Sequence, residues 1–155
     1  MTDFAGGAPV TGSLEVSWIH GVPGEPAIQV HRYDEHTVIL RQGKSVHYEA
    51  PFLYLLFGND RAVLLDTGAT ADPRRFPLRE TVDRLVAGWL DGHPRDGYEL
   101  VVAHTHGHGD HVAADAQFAG RARFDDFIIY NEARRGDQVK LLARGLLHRI
   151  RPGES

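Results

Sequence analysis

Apolar positions are sparse at the start of the chain and then come in dense, regular groups. Residues 1–30 are rich in glycine and proline ("GGAP", "GVPGEP") and predict a loosely ordered lead-in. The β-branched run "HTVILRQ" predicts a strand. "FLYLLF" and "AVLL" predict two strands joined by a tight turn at Gly58-Asn59-Asp60. Their continuous apolar character predicts burial on both faces, as in the centre of a layered fold.

The period then changes from two to 3.6. Leu78, Val82, Leu85, Val86 and Trp89 share one helical face, Pro77 suits the first turn, Glu80 and Arg84 pair on the polar side, and Gly92 with Pro94 ends the helix. "YELVVA" (98–103) reads as a strand, "DHVAADAQFAG" as a short helix over 110–118 capped by Asp110 and ended by Gly120, and "DDFIIY" as a short strand. Val139, Leu142, Ala143, Leu146, Leu147 and Ile150 mark a final amphipathic helix. Strands followed by alternating helices and strands are the pattern of a layered α/β domain. Three segments follow: the lead-in (1–30), a core (31–120) and a tail (121–155).

Composition narrows the chemistry. Hydrophobic residues make up 42% and charged residues 25% of 155, the balance of a soluble globular domain. No apolar run is long enough for a membrane span, and the N-terminus does not resemble a signal peptide, so a cytoplasmic location without membrane contact is expected. The net charge of −4 argues against a nucleic-acid partner. With no cysteine, any metal must be held by nitrogen and oxygen.

Four of the ten histidines, His104, His106, His108 and His111, fall between the strand at 98–103 and the helix that follows. A helical segment would put His104, His108 and His111 on one face, but Gly107 and Gly109 would each cost about 1 kcal/mol there. In an extended loop, His106 and His108 project to the same side and can meet on one ion. Gly107 and Gly109 then allow a tight turn, and Asp110 and His111 can address a second ion beside the first. Two divalent ions on such ligands acidify a shared water and polarise the group it attacks, which is hydrolytic chemistry. His104 reads as part of the strand end. His20, His31, His36, His47 and His93 have no evident partners in sequence, and Trp18 and Trp89 read as packing residues.

"THGHGDH" (105–111) resembles the H-x-H-x-D-H signature of the metallo-β-lactamase superfamily, and "AVLLDTGA" (62–69) resembles that family's strand ending in Asp-x-Gly. The resemblance covers about residues 35–120. It implies an αββα sandwich with a dinuclear metal centre, usually zinc and sometimes iron or manganese. By position, His106 and His108 would bind the first ion and Asp110 and His111 the second. Asp110 would also be the catalytic carboxylate, with Asp66 a supporting group behind the ligands. The implied activity is hydrolysis of small esters, thioesters or lactones; other members act on lactams or phosphodiesters, or do redox chemistry on iron.

The family pattern also asks for a further histidine on the first ion, and for another histidine and a bridging carboxylate on the second. After His111 the chain carries a single histidine, His148, which shares the polar face of the last helix with Lys140 and Arg144. Only the first half of the sandwich is therefore expected, as a fragment, a truncated gene or a frameshift near Gly120. The alternative to a hydrolase is a truncated, non-catalytic metal-binding remnant or interaction fragment of such a domain; in either case an uncovered sheet face is expected to favour self-association.

Overall fold

The computed structural model describes residues 15–19, 21–120 and 123–128, the last of these by their backbone. Strands β1 (Ile28–Arg32), β2 (Thr37–Gln42), β3 (Phe52–Phe57) and β4 (Arg61–Leu65) pair antiparallel in chain order. β5 (Glu99–His104) and β6 (Arg123–Ile128) extend the same sheet parallel to β4. The switch to parallel pairing requires crossovers. Helix α1 (Leu78–Gly92) makes the first; α2 (Gly109–Val112) and a 3-10 turn (Asp115–Phe118) lie in the second. The final helix read over 139–150 lies outside the described residues.

α1 forms where the apolar period predicts it, and buries Leu78, Thr81, Val82, Leu85 and Trp89. These pack on one face of the sheet, against Val38 and Leu40 of β2, Leu53, Leu55 and Phe57 of β3, Ala62 and Leu64 of β4, and Val102 of β5. Phe76 and Phe118 fill the same core. On the opposite face Val63, Val101 and Ala103 cluster with Leu65. Central strand β4 is thus apolar on both sides, as its unbroken sequence predicts.

β3 departs from that expectation. Its side chains alternate, and Phe52 and Tyr54 remain 38% and 37% exposed. Its neighbours β2 and β4 pair antiparallel to it, the geometry in which one sheet face commonly meets water. Phe52 is partly screened by the ring of Trp18, edge-on at 5.2 Å, and by the Arg41 guanidinium 5.3 Å above it.

Several histidines that lack partners in sequence acquire them in space. His31 meets Trp18 edge-on at 5.8 Å, and His47 lies 3.5 Å from the Glu49 carboxylate. His36, in the β1–β2 turn, and His93, at the C-terminus of α1, flank Trp89 with their rings 5.5 Å apart. The indole N–H of Trp89 donates to the Glu35 carbonyl and to His36 Nδ1, while Glu35 Oε1 meets His93 Nε2 at 3.0 Å.

Burial holds His36 below its ordinary pKa, against the partial opposition of the Glu35 and Asp34 carboxylates; His93 reinforces the lowering. The unfolded chain therefore binds this proton more readily than the folded one. The contribution is fully present above about pH 6.5 and is lost as pH falls through the folded-state value. In thermal melts across that window, the wild-type chain should lose more stability on acidification than His36→Gln. Equal losses would show that His36 does not supply the dependence.

Candidate metal centre

The site sits where two parallel strands end side by side. Leu65 of β4 pairs with Ala103 of β5, so Asp66 and the 104–111 loop emerge together at the carboxyl edge of the sheet. Asp66 adopts a left-handed φ of 66°, which breaks the strand and turns its side chain under the loop. Aspartate tolerates that region better than most residues, through local hydrogen bonding. Gly68 follows at φ 79°, where a Cβ would come within 2.8 Å of Gln42 Oε1 and of the Phe76 ring. The "DTG" break therefore needs its glycine for both backbone conformation and space.

Asp66 is 2% exposed and fully engaged. Its Oδ1 accepts from the Thr105 backbone N–H, and its Oδ2 accepts from the Thr105 hydroxyl and from His111 Nδ1, each at 2.8 Å. The Thr105 hydroxyl also lies 3.2 Å from His106 Nδ1. The assignment that satisfies this network gives both histidines an Nδ1–H, held from behind by Asp66 or Thr105, and leaves Nε2 of each ring as a lone-pair donor. On the far side His111 Nε2 faces Asp110 Oδ2 at 3.0 Å. Two lone-pair donors that close are satisfied by a proton or a cation between them.

His106, Asp110 and His111 each offer a ligand atom, all within 4.8 Å of one another, and all three residues are half-buried. Two imidazoles and a carboxylate suit a divalent ion with nitrogen and oxygen preferences, so the residues present fit such a group.

The grouping differs in detail from a purely extended loop. His106 joins Asp110 and His111, the ring centroids of His106 and His111 lying 3.8 Å apart. His108 is exposed beside them, its ring 4.7 Å from that of His106. The chain turns into α2 directly after His108, which cuts the extended alternation short. Gly107 and Gly109 do not have left-handed φ, and a Cβ on either would meet nothing within 4 Å, so neither is required for the turn.

Asp110 is also not a cap. The N-cap position of α2 is His108, and the Asp110 carboxylate is turned toward His111. The helix expected over 110–118 is broken, because the Ala113 N–H bonds to the Gly68 carbonyl instead of continuing a helical ladder. His104 ends β5 as expected and reaches Asp115. His148 lies outside the described residues.

Thr105, Thr67, Asp115 and Tyr48 meet at this edge without having been singled out by sequence pattern. Thr105, Thr67 and Asp115 each stand within four residues of a candidate site residue (His106, Asp66 and His111), whereas Tyr48 comes from a distant part of the chain. Tyr48 lies in the β2–β3 loop at the same sheet edge. Its hydroxyl is held above its ordinary pKa chiefly by the hydrogen bond to Glu49, with the Asp110 charge contributing.

The sequence matches the metallo-beta-lactamase superfamily over residues 50–141. Among solved structures it is similar to TMB-1, described in terms of substrate and inhibitor binding, at 19% identity and a TM-score of 0.41. That alignment covers 62% of this chain and 40% of TMB-1, so this chain spans less than half the length of that protein. The comparison with curated proteins found no match.

Proposed function

Since this chain belongs to the metallo-beta-lactamase superfamily, we propose that it binds divalent metal through His106, Asp110 and His111, with His108 joining them, in support of hydrolysis. Zinc is the first candidate, with iron and manganese as alternatives, and the proposed substrates are small esters, thioesters or lactones. The observation that carries this reading is the convergence of the three ligand groups, two of them held from behind by the Asp66–Thr105 network.

A bound divalent ion supplies Lewis acidity, polarising the bond under attack and acidifying water toward neutral pH. The chain's own residues supply orientation. Asp66 fixes the His111 ring and its tautomer, and Thr105 does the same for His106. Asp110 brings a negative charge to the open side of the site, where it can also accept a proton from a substrate or water.

A second reading is a metal-binding domain without turnover. Among the described residues only one convergent group of three ligands is found, where a dinuclear centre needs two. Metal analysis of the purified chain separates the readings, combined with assays on an ester, a thioester and a lactone with and without chelator. Two ions per chain and chelator-sensitive turnover support the hydrolase. One ion or less without turnover supports the second reading. No binding, or binding unaffected by His106→Ala with His111→Ala, overturns both.

A further inference from the structure

We propose that His104 and Asp115, joined through the buried Thr67, form a clasp that sets the metal affinity of the ligand loop without touching the metal. The proposal rests on the metal-binding reading above. His104 is the last residue of β5 and Asp115 the first of the 3-10 turn, so the pair brackets every candidate ligand in the loop. His104 Nε2 and Asp115 Oδ1 are 2.9 Å apart across eleven residues of chain. The same Oδ1 accepts from the Thr67 hydroxyl at 2.7 Å. Thr67 is fully buried, and its backbone N–H donates to the His111 carbonyl at 2.7 Å. One carboxylate oxygen thus ties together the end of β5, the segment leaving β4 and the far end of the loop.

The loop needs such a tie. Residues 107–109 are exposed, and two of those three are glycines with open space where a Cβ would stand. Apart from the clasp, the α2 segment is held to the segment after β4 by the backbone bonds Thr67 N–H to His111 and Ala113 N–H to Gly68 and by the His111–Asp66 side-chain contact. Removing the Asp115 carboxylate loosens the base of the loop around those ties, and metal binding must then supply more of the ordering entropy. His104 and Asp115 are accordingly positioning residues. The bland alternative, a local bond that only stabilises the 3-10 turn, predicts no change in affinity. Asp115 does not cap that turn, whose N-cap is Ala114 without a side-chain bond.

The test measures zinc affinity by chelator competition, and amide exchange in the metal-free chain, for wild type, Asp115→Ala, Asp115→Asn and His104→Ala. Asp115→Ala should weaken zinc binding by about 10- to 100-fold, in the range of groups that support ligands from behind. It should also speed exchange at Thr67 and Ala113 while α1 amides stay protected. Asp115→Asn keeps an oxygen that accepts both bonds and should remain within about three-fold of wild type. His104→Ala removes one arm and should fall between the two, and it serves if Asp115→Ala does not fold. Unchanged affinity in Asp115→Ala and His104→Ala overturns the clasp while leaving the metal-binding reading intact. Equal losses in Asp115→Asn and Asp115→Ala would assign the effect to charge and also overturn it. A wild-type chain that binds neither zinc, iron nor manganese overturns the metal-binding reading itself, and with it any role of the clasp in affinity.

Discussion

Asparagine in place of Asp66 is expected to weaken metal binding by about 10- to 100-fold while leaving the backbone in place. Asparagine tolerates the left-handed φ of 66° as well as aspartate does, so the "DTG" break should survive. One amide oxygen can still accept from the Thr105 backbone N–H. The amide NH2 then occupies the position of Oδ2, where aspartate accepts from the Thr105 hydroxyl and from His111 Nδ1. Facing a donor, His111 Nδ1 must become an acceptor, and its proton moves to Nε2, the nitrogen that faces Asp110. The ligand lone pair is then blocked in the dominant tautomer. Zinc competition on the folded variant tests this, together with the ring-nitrogen chemical shifts of His111. An unchanged tautomer with unchanged affinity would remove Asp66 from the metal centre.

Truncation of Trp89 to alanine should have the largest effect on stability, about 3–5 kcal/mol. Its indole is 3% exposed and stacks on Phe57 at 5.0 Å, His93 at 4.2 Å and Tyr98 at 5.3 Å, while its N–H donates to the Glu35 carbonyl. Alanine leaves a cavity between α1 and the sheet and strips three rings of their neighbour. Against a typical total stability of about 5–15 kcal/mol, that is enough to unfold a marginal domain. Trp89 packs at the amino end of β5, away from the ligand loop. Zinc affinity of the fraction that remains folded should therefore match wild type. Urea denaturation of the metal-free chain gives the difference, and a loss under about 1 kcal/mol would contradict the packing described.

Most of the core was legible along the chain, for local reasons. α1 is an uninterrupted 3.6-residue pattern, and the β3–β4 hairpin is two apolar runs around Gly-Asn-Asp, so each element is specified by its own residues. β1, Ile28–Arg32, was hidden in the lead-in because its five residues mix polar and apolar side chains, and its partner Thr37–Gln42 supplies the regularity. The break between α2 and the 3-10 turn was illegible for a different reason. "DHVAADAQF" has good helical composition, and only the Gly68 carbonyl and the Thr67–Asp115 bond divert it.

The sequence by itself limited the donor chemistry of any metal site. Without cysteine, and with His106, His108, Asp110 and His111 between a strand and a helix, the candidate ligands are nitrogen and oxygen at a strand's carboxyl end. Which of them converge was a tertiary decision. β4 and β5 end side by side only because they pair in parallel, and that pairing brings Asp66 to Thr105 and His111, up to 45 residues away in sequence. Residue spacing encodes side-chain direction only while the backbone keeps one period. At His108 the period changes, and from there the placement of His111 follows from bonds of the α2 segment to Gly68, Thr67 and Asp66, residues that no local pattern connects to it, while Asp110 meets His111 Nε2.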